Sequence, residues 1–244
     1  MSKISKKNKI VIVGSNGKLG SQLRDFLIKK GEYVIGISKN IDHKTSNSFT
    51  INHNSKKSYK ETFEIILKQS PKAVIFCHRV RNLDSDDDLK EYMNQELLPY
   101  IALKEAFRNI KTKNTFNVVS YSSVCTQNWN KDVSYAYHIV KAASEQAALG
   151  LAFLKNDNLK IFSNIILFGE YKNIFLNSHE DEKSKLFDEI INLNPSKLIV
   201  DSNHLLETTY RLCFADNCGI NVQRITVDAG LNSVSIESYL RSII

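Results

Sequence analysis

Tyr137 and Lys141 stand four residues apart in Tyr137-His138-Ile139-Val140-Lys141, a spacing that sets a phenol and an ammonium on one side of a helix. A phenol titrates at about pH 10 in water, so it exchanges protons efficiently near neutrality only where a cation stabilises its phenolate. The pair therefore suits acid–base work at a carbonyl or hydroxyl oxygen. Spacing alone is not selective. Ten tyrosines and 26 lysines in 244 residues give about one Tyr-x-x-x-Lys by chance, and the chain holds two. Tyr100 with Lys104 falls inside an earlier apolar helical stretch, whereas Tyr137 follows the pair Ser122-Ser123 at the end of an apolar run.

A second chemical signal opens the chain. The β-branched run Ile10-Val11-Ile12-Val13 reads as a strand buried on both faces, and it stops at Gly14-Ser15-Asn16-Gly17-Lys18-Leu19-Gly20. Leu19, Leu23, Phe26 and Leu27 then recur at helical spacing. A glycine turn joining a buried strand to a helix leaves the first helical amides facing the turn, where they favour the phosphates of a dinucleotide. The competing reading is an ordinary strand-to-helix turn without a ligand.

Alternating elements follow that would position both signals. Strand two is Tyr33–Ser38, reached after Gly31 closes the first helix. NAD-preferring sites carry a carboxylate near this point for the ribose 2′-hydroxyl, whereas Ser38-Lys39-Asn40 offers a hydroxyl and an ammonium, which favours a 2′-phosphate. The polar stretch from Lys39 to Ser48 has no apolar face for a helix. Strand three is expected over Phe49–Asn52, and a helix over Ser58–Gln69 turns Phe63, Ile66 and Leu67 inward and ends before Pro71. Strand four, Ala73–Cys77, delivers His78 to the edge where open α/β sheets bind ligands; that histidine either meets a ligand or caps the strand. Asp84, Asp86, Asp87 and Asp88 suit the amino end of a helix from Leu89 to Asn109 better than a metal, and Pro99 predicts a kink within it. Strand five, Thr115–Tyr121, brings Ser122 and Ser123 to the ligand edge, and the Tyr137 helix begins near Ser134. Strand six, Leu159–Leu167, ends in Phe168-Gly169. A segment over 170–200, polar as far as Lys183 and then a short helix with Leu186, Phe187, Ile190 and Ile191, is a candidate lid. A helix over Asn203–Ala215 leads to strand seven, Arg224–Val227.

Composition bounds what such a chain does. With 42% hydrophobic residues, three prolines and nine glycines, 1–244 reads as one compact α/β domain with a flexible basic amino terminus over 1–8. Cys77, Cys125, Cys213 and Cys218 lack metal-ligand spacing and fit the reducing cytoplasm; no metal site is expected. No apolar signal segment or spanning run is evident, which points away from membranes. The net charge of +7 comes from dispersed lysines without aromatic interleaving, so it reads as solvated surface rather than a nucleic-acid face.

Taken in order, the glycine turn, the Asn94 helix, Val118-Val119-Ser120-Tyr121-Ser122-Ser123, Tyr137 to Ala143, Ser163-Asn164 through Gly169 and Ile225-Thr226-Val227-Asp228-Ala229-Gly230 resemble the short-chain dehydrogenase/reductase family in its compact single-domain branch. The likeness spans nearly the whole chain. It implies a doubly wound Rossmann fold with a seven-stranded parallel sheet, a nicotinamide cofactor and homodimers or homotetramers built on the Asn94 and Tyr137 helices. It also implies roles: Tyr137 as general acid in reduction and base in oxidation, Lys141 as the phenolate-stabilising cation that also holds the nicotinamide ribose, Ser123 (with Ser122 as the alternative) on the substrate oxygen, and Asn94 supporting a proton path through water. The cofactor would lie against Gly14, Ser15, Asn16, Gly17, Lys18, Leu19, Gly20, Ser38, Lys39, Asn52, Cys77, His78, Lys141, Phe168 and Gly169, with NADP(H) preferred over NAD(H). The activity implied is hydride transfer between NADP(H) and a small-molecule carbonyl or secondary alcohol.

Several residues depart from the family pattern. The glycine spacing is more typical of the sugar-nucleotide-modifying branch, Cys77-His78-Arg79 stands where many relatives have Asn-Ala-Gly, and Phe168 replaces a usual proline. Arg79 would meet either a phosphate or an anionic substrate, or lie on the surface. The alternatives are therefore a sugar-nucleotide epimerase, dehydratase or reductase, and a non-catalytic NAD(P)-binding sensor or scaffold.

Overall fold

The computed structural model describes residues 7–41, 43–78, 89–111, 113–128, 134–169 and 191–233. Arg79, the Asp84–Asp88 cluster and the greater part of the expected lid, 170–190, lie outside the described residues, as do 1–6 of the amino terminus. The elements are β1 (Lys9–Val13), α1 (Lys18–Lys29), β2 (Tyr33–Ser38), β3 (Asn47–Thr50), α2 (Lys56–Leu67), β4 (Ala73–Phe76), α3 (Leu89–Arg108), β5 (Asn114–Ser123), α4 (Tyr135–Gly150), β6 (Leu159–Phe168), α5 (Ser202–Leu212) and β7 (Arg224–Val227).

All seven strands join one parallel sheet in the order β3-β2-β1-β4-β5-β6-β7. The chain winds outward from β1 to β3, then crosses back to β4 on the other side of β1. That reversal opens a crevice at the carboxyl ends of β1 and β4. Apolar residues fill both faces, which explains strands that are apolar at every position. Val11 and Val13 share one core with Phe63, Tyr100, Leu103 and Phe116 under α2 and α3. Ile10 and Ile12 share the other with Leu23, Leu27, Leu205 and Leu206 of α1 and α5.

Boundaries shift where backbone pairing outweighs side-chain pattern. β3 occupies Asn47–Thr50 rather than Phe49–Asn52, because parallel pairing sets Asn47 opposite Ile35 and Thr50 opposite Ser38. This four-residue edge strand is only half-buried, so its polar Asn47 and Ser48 gave no apolar signal. α2 starts earlier than expected, at Lys56, because the Ser55 hydroxyl accepts from Ser58 N at 3.1 Å and caps it. α3 runs through Pro99 as one twenty-residue helix. Among the described residues no helix is long and apolar enough to cross a membrane.

Candidate active site

The corner between β1 and α1 is shaped by close backbone approach. Gly14 has φ +88, a left-handed value favourable to glycine, and a Cβ there would lie 2.9 Å from the amide nitrogen of His78. A Cβ on Gly20 would lie 2.1 Å from the Gly14 carbonyl oxygen, so only glycine lets α1 leave the turn at this angle. Gly17 is the helix N-cap and has no side chain to cap it, so the positive end of α1 faces the corner. Ser15 is fully buried beneath the turn, whereas Asn16 and Lys18 are exposed and Leu19 packs on the α1 core.

Beside this corner stand the carboxyl ends of β2 and β3. The Asn16 amide donates to Ser38 Oγ at 3.1 Å and to the Asn40 carbonyl at 3.0 Å, strapping the turn to β2. Ser38 is buried and its hydroxyl donates to the same Asn40 carbonyl, so it braces the loop. Lys39 is the exposed cation beside it, and the exposed Asn52 follows β3, its side chain accepting from Asn54 N at 3.0 Å. Cys77 continues the β4 ladder by donating its amide to the Val13 carbonyl at 2.8 Å. Burial pushes the Cys77 thiol far up, which leaves it protonated and unreactive.

α4 carries Tyr137 and Lys141. Ser134 caps it, accepting from Tyr137 N at 3.2 Å, and His138 Nδ1 lies 2.8 Å from the Cys125 carbonyl, tying the segment after β5 to the first turn of α4. Tyr137 is half-exposed, and Lys141, one turn on, is 5% exposed. Strand alternation separates the two serines. Ser122 is buried and donates to Glu145 Oε1 at 2.6 Å, with Arg224 Nε donating to Glu145 Oε2 at 2.7 Å. Ser123 is half-exposed at the strand end, its hydroxyl accepting from Cys125 N at 3.2 Å. Phe168 lies opposite Ser123 in the β5–β6 register, its ring edge-on to Tyr121, and Gly169 follows.

The α3 side chain that meets Lys141 is Glu96, which composition and spacing did not single out. Lys141 Nζ donates to Glu96 Oε1 at 2.5 Å, with both side chains almost wholly buried. Asn94 is exposed on the same helix, two residues earlier. His78 joins from the end of β4, its Nε2 3.1 Å from the Glu96 carbonyl and 3.9 Å from the carboxylate. Burial lowers the His78 pKa, against the Glu96 carboxylate that raises it, so its neutral ring donates through Nε2. The sequence did hold one sign of Glu96: Tyr92, Glu96, Pro99 and Leu103 recur at helical spacing, and all four are buried.

Among the described residues no group of His, Cys, Asp and Glu is arranged to hold a metal ion. The residues do fit a dinucleotide: a cradle that a Cβ would fill, a helix amino end facing it, and a polar rim at the carboxyl edge.

No family model matches the sequence. A curated relative, the CDP-abequose synthase of Yersinia pseudotuberculosis, is 28% identical over 204 residues; the match takes in 82% of this chain but only 64% of the synthase. Among solved structures, a short-chain dehydrogenase from Leptospira borgpetersenii with bound NAD+ aligns at TM-score 0.73 and 17% identity over 93% of each chain. A gluconate 5-dehydrogenase from Burkholderia cenocepacia in complex with NADP and tartrate aligns at TM-score 0.72 and 15% identity, covering 93% of this chain and 96% of that one. Parallel sheet, strand order and glycine corner thus define a Rossmann-like fold. In fold the chain is similar to solved short-chain dehydrogenases.

Proposed function

We propose that this chain is an NAD(P)-dependent oxidoreductase that reduces a small-molecule carbonyl, or oxidises the corresponding secondary alcohol, within a single domain. The observation that carries the reading is the presence of Tyr137 and the buried Lys141 one turn apart on α4, together with a partly open Ser123 at the end of β5. When bound, the nicotinamide would supply and accept the hydride. The glycine corner and the amino end of α1 would hold the diphosphate, and Ser123 would hold the substrate oxygen. Tyr137 would give that oxygen a proton in reduction and remove it in oxidation. Lys141, through its charge, favours the phenolate and is the residue proposed to hold the nicotinamide ribose. His78, Phe168 and Gly169 would border the nicotinamide end.

NADP(H) is the preferred cofactor because Lys39 is the exposed charge after β2 and residues 38–40 hold no carboxylate to repel a 2′-phosphate. Ser38 supports that loop from below. Asn94, exposed on α3, would take part in a proton path only through water. Homodimers or homotetramers and a cytoplasmic location are part of the same proposal.

A second reading has its own support. The Gly14, Gly17 and Gly20 spacing and the resemblance to a CDP-sugar synthase favour a substrate that is a nucleotide-linked sugar, processed by reduction, dehydration or epimerisation. One set of measurements separates the readings. NADPH fluorescence titration, followed by assay on simple carbonyls and on CDP-sugars, should show binding and stoichiometric NADPH oxidation. Tyr137→Phe should lose turnover by at least about a thousandfold while still binding NADPH. A Tyr137→Phe protein with most of its activity would sink the proposal. A cofactor that co-purifies and is not consumed would favour epimerase or dehydratase chemistry.

A further inference from the structure

Glu96 is 1% exposed and Lys141 5% exposed, and the two meet at 2.5 Å where α3 packs on α4. Stripping water from both ions is costly, and their mutual attraction and hydrogen bonding help to offset it. Such a pair shields charge as well. In a poorly polarisable interior, a carboxylate in contact with an ammonium cancels much of the field that the ammonium exerts on a phenol one helical turn away. Other titratable groups crowd the same carboxylate: His78 after β4, Tyr59 on α2 and Tyr100 on α3, with Glu145 further along α4. Burial pushes the Tyr59 and Tyr100 phenols up, with Glu96 adding to the shift, so both stay protonated at moderately alkaline pH. His78 is neutral there.

We infer that Glu96 is a positioning residue: it fixes the Lys141 ammonium between α3 and α4 and tempers the positive charge felt by Tyr137, which keeps the phenol in its protonated form, the form that carbonyl reduction draws on. The inference rests on the reading of Tyr137 and Lys141 as the proton-exchanging pair. It adds a carboxylate as the third member, with the opposite electrostatic effect to that of the lysine. Glu96 acts through Lys141 and is assigned no contact with substrate.

The test uses the full chain without cofactor or substrate. Tyrosinate absorbance is titrated in the parent protein and in Tyr137→Phe, and their difference isolates the Tyr137 step while the other nine tyrosines cancel. The same subtraction is made in a Glu96→Gln background, which keeps an amide oxygen for Lys141 Nζ and removes the charge. The step should move down by about one pH unit in Glu96→Gln, and Glu96→Asp should restore most of the shift. Should Glu96→Gln fail to fold, the double substitution Glu96→Gln with Lys141→Met decides instead. If the carboxylate cancels the ammonium, losing both leaves the step near its original position. If Glu96 has no electrostatic role, losing Lys141 drives the step upward by about a unit or more. An unmoved step in a folded Glu96→Gln, or an upward step in the double variant, overturns the inference. Failure of the enzymatic reading appears elsewhere, as turnover retained by Tyr137→Phe.

Discussion

At the scale of single residues, the glycine corner gives the sharpest contrast. A methyl on Gly20 meets the Gly14 carbonyl oxygen at 2.1 Å, and no rotamer can relieve a clash made by Cβ itself. Gly150, at the end of α4, has helical φ −59 and nothing within 4 Å of an added Cβ. Gly20→Ala should therefore lose about 2 kcal/mol or more, lowering Tm by roughly 4–8 °C and weakening binding of the proposed nicotinamide cofactor. Gly150→Ala should be neutral or gain a few tenths of a kcal/mol. Paired melting curves check both, and equal behaviour of the two variants would show that the corner yields. These glycines were legible because their role is a local matter of backbone and spacing. Glu96 was not, because a glutamate on a helix reads as surface unless the neighbour that buries its charge is known, and Lys141 lies 45 residues away. The different surroundings of Ser122 and Ser123 were equally illegible, because Glu145, which engages Ser122, lies 23 residues further along the chain.

At the scale of elements, the caps decide where the site residues fall. Ser134 Oγ accepts the amide of Tyr137 itself, so the bond that starts α4 also fixes the turn carrying the phenol. Ser134→Ala should cost about 1 kcal/mol of stability and lower turnover more than its effect on Tm explains, because the frayed turn is the one that presents Tyr137. Denaturant midpoints together with steady-state rates would check this. Loss of stability with unchanged kcat would confine the cap to folding. Most elements were readable because a buried parallel strand is continuously apolar and a helix covering it is periodic. β3 slipped by two residues because an edge strand needs only backbone partners. The Asn94 expectation depended on helix phase: α3 packs on both α2 and α4, and its buried face runs through Tyr92, Glu96 and Leu103. A helix buried from two sides has no single apolar stripe from which to read where residue 94 points.

At the scale of the whole molecule, the sheet has a working edge and a supporting edge. Lys7, Lys9, Lys72, Lys113 and Lys160, scattered in sequence, gather around a groove of about 860 Å³ at the amino ends of the strands, opposite the glycine corner. Their charge is thus remote from the proposed diphosphate site. One of them also locks the edge. Lys72 Nζ donates to Asp216 Oδ2 at 2.6 Å, the Asn117 amide donates to Asp216 Oδ1 at 2.9 Å, and Asp216 N donates to Asn117 Oδ1 at 3.1 Å. The turn after α5 is thereby pinned to the strand starts of β4 and β5. Burial alone would raise the Asp216 pKa, but the bonds from Lys72 and Asn117 outweigh it and hold the carboxyl below its usual value. A carboxyl depressed in the folded state stabilises the protein above the unfolded pKa, and that contribution disappears as pH falls through the folded value. Asp216→Asn should therefore lower the urea midpoint near about pH 7, equivalent to about 1–2 kcal/mol. The gap from the parent protein should begin to close below about pH 4 and narrow steadily toward about pH 2. Lys72→Met should weaken the native state in the same range and flatten the acid dependence, because it removes the charge that depresses the carboxyl. A gap that stays constant from neutral to acid pH would mean that Asp216 contributes through shape alone, and the electrostatic account of this corner would fail.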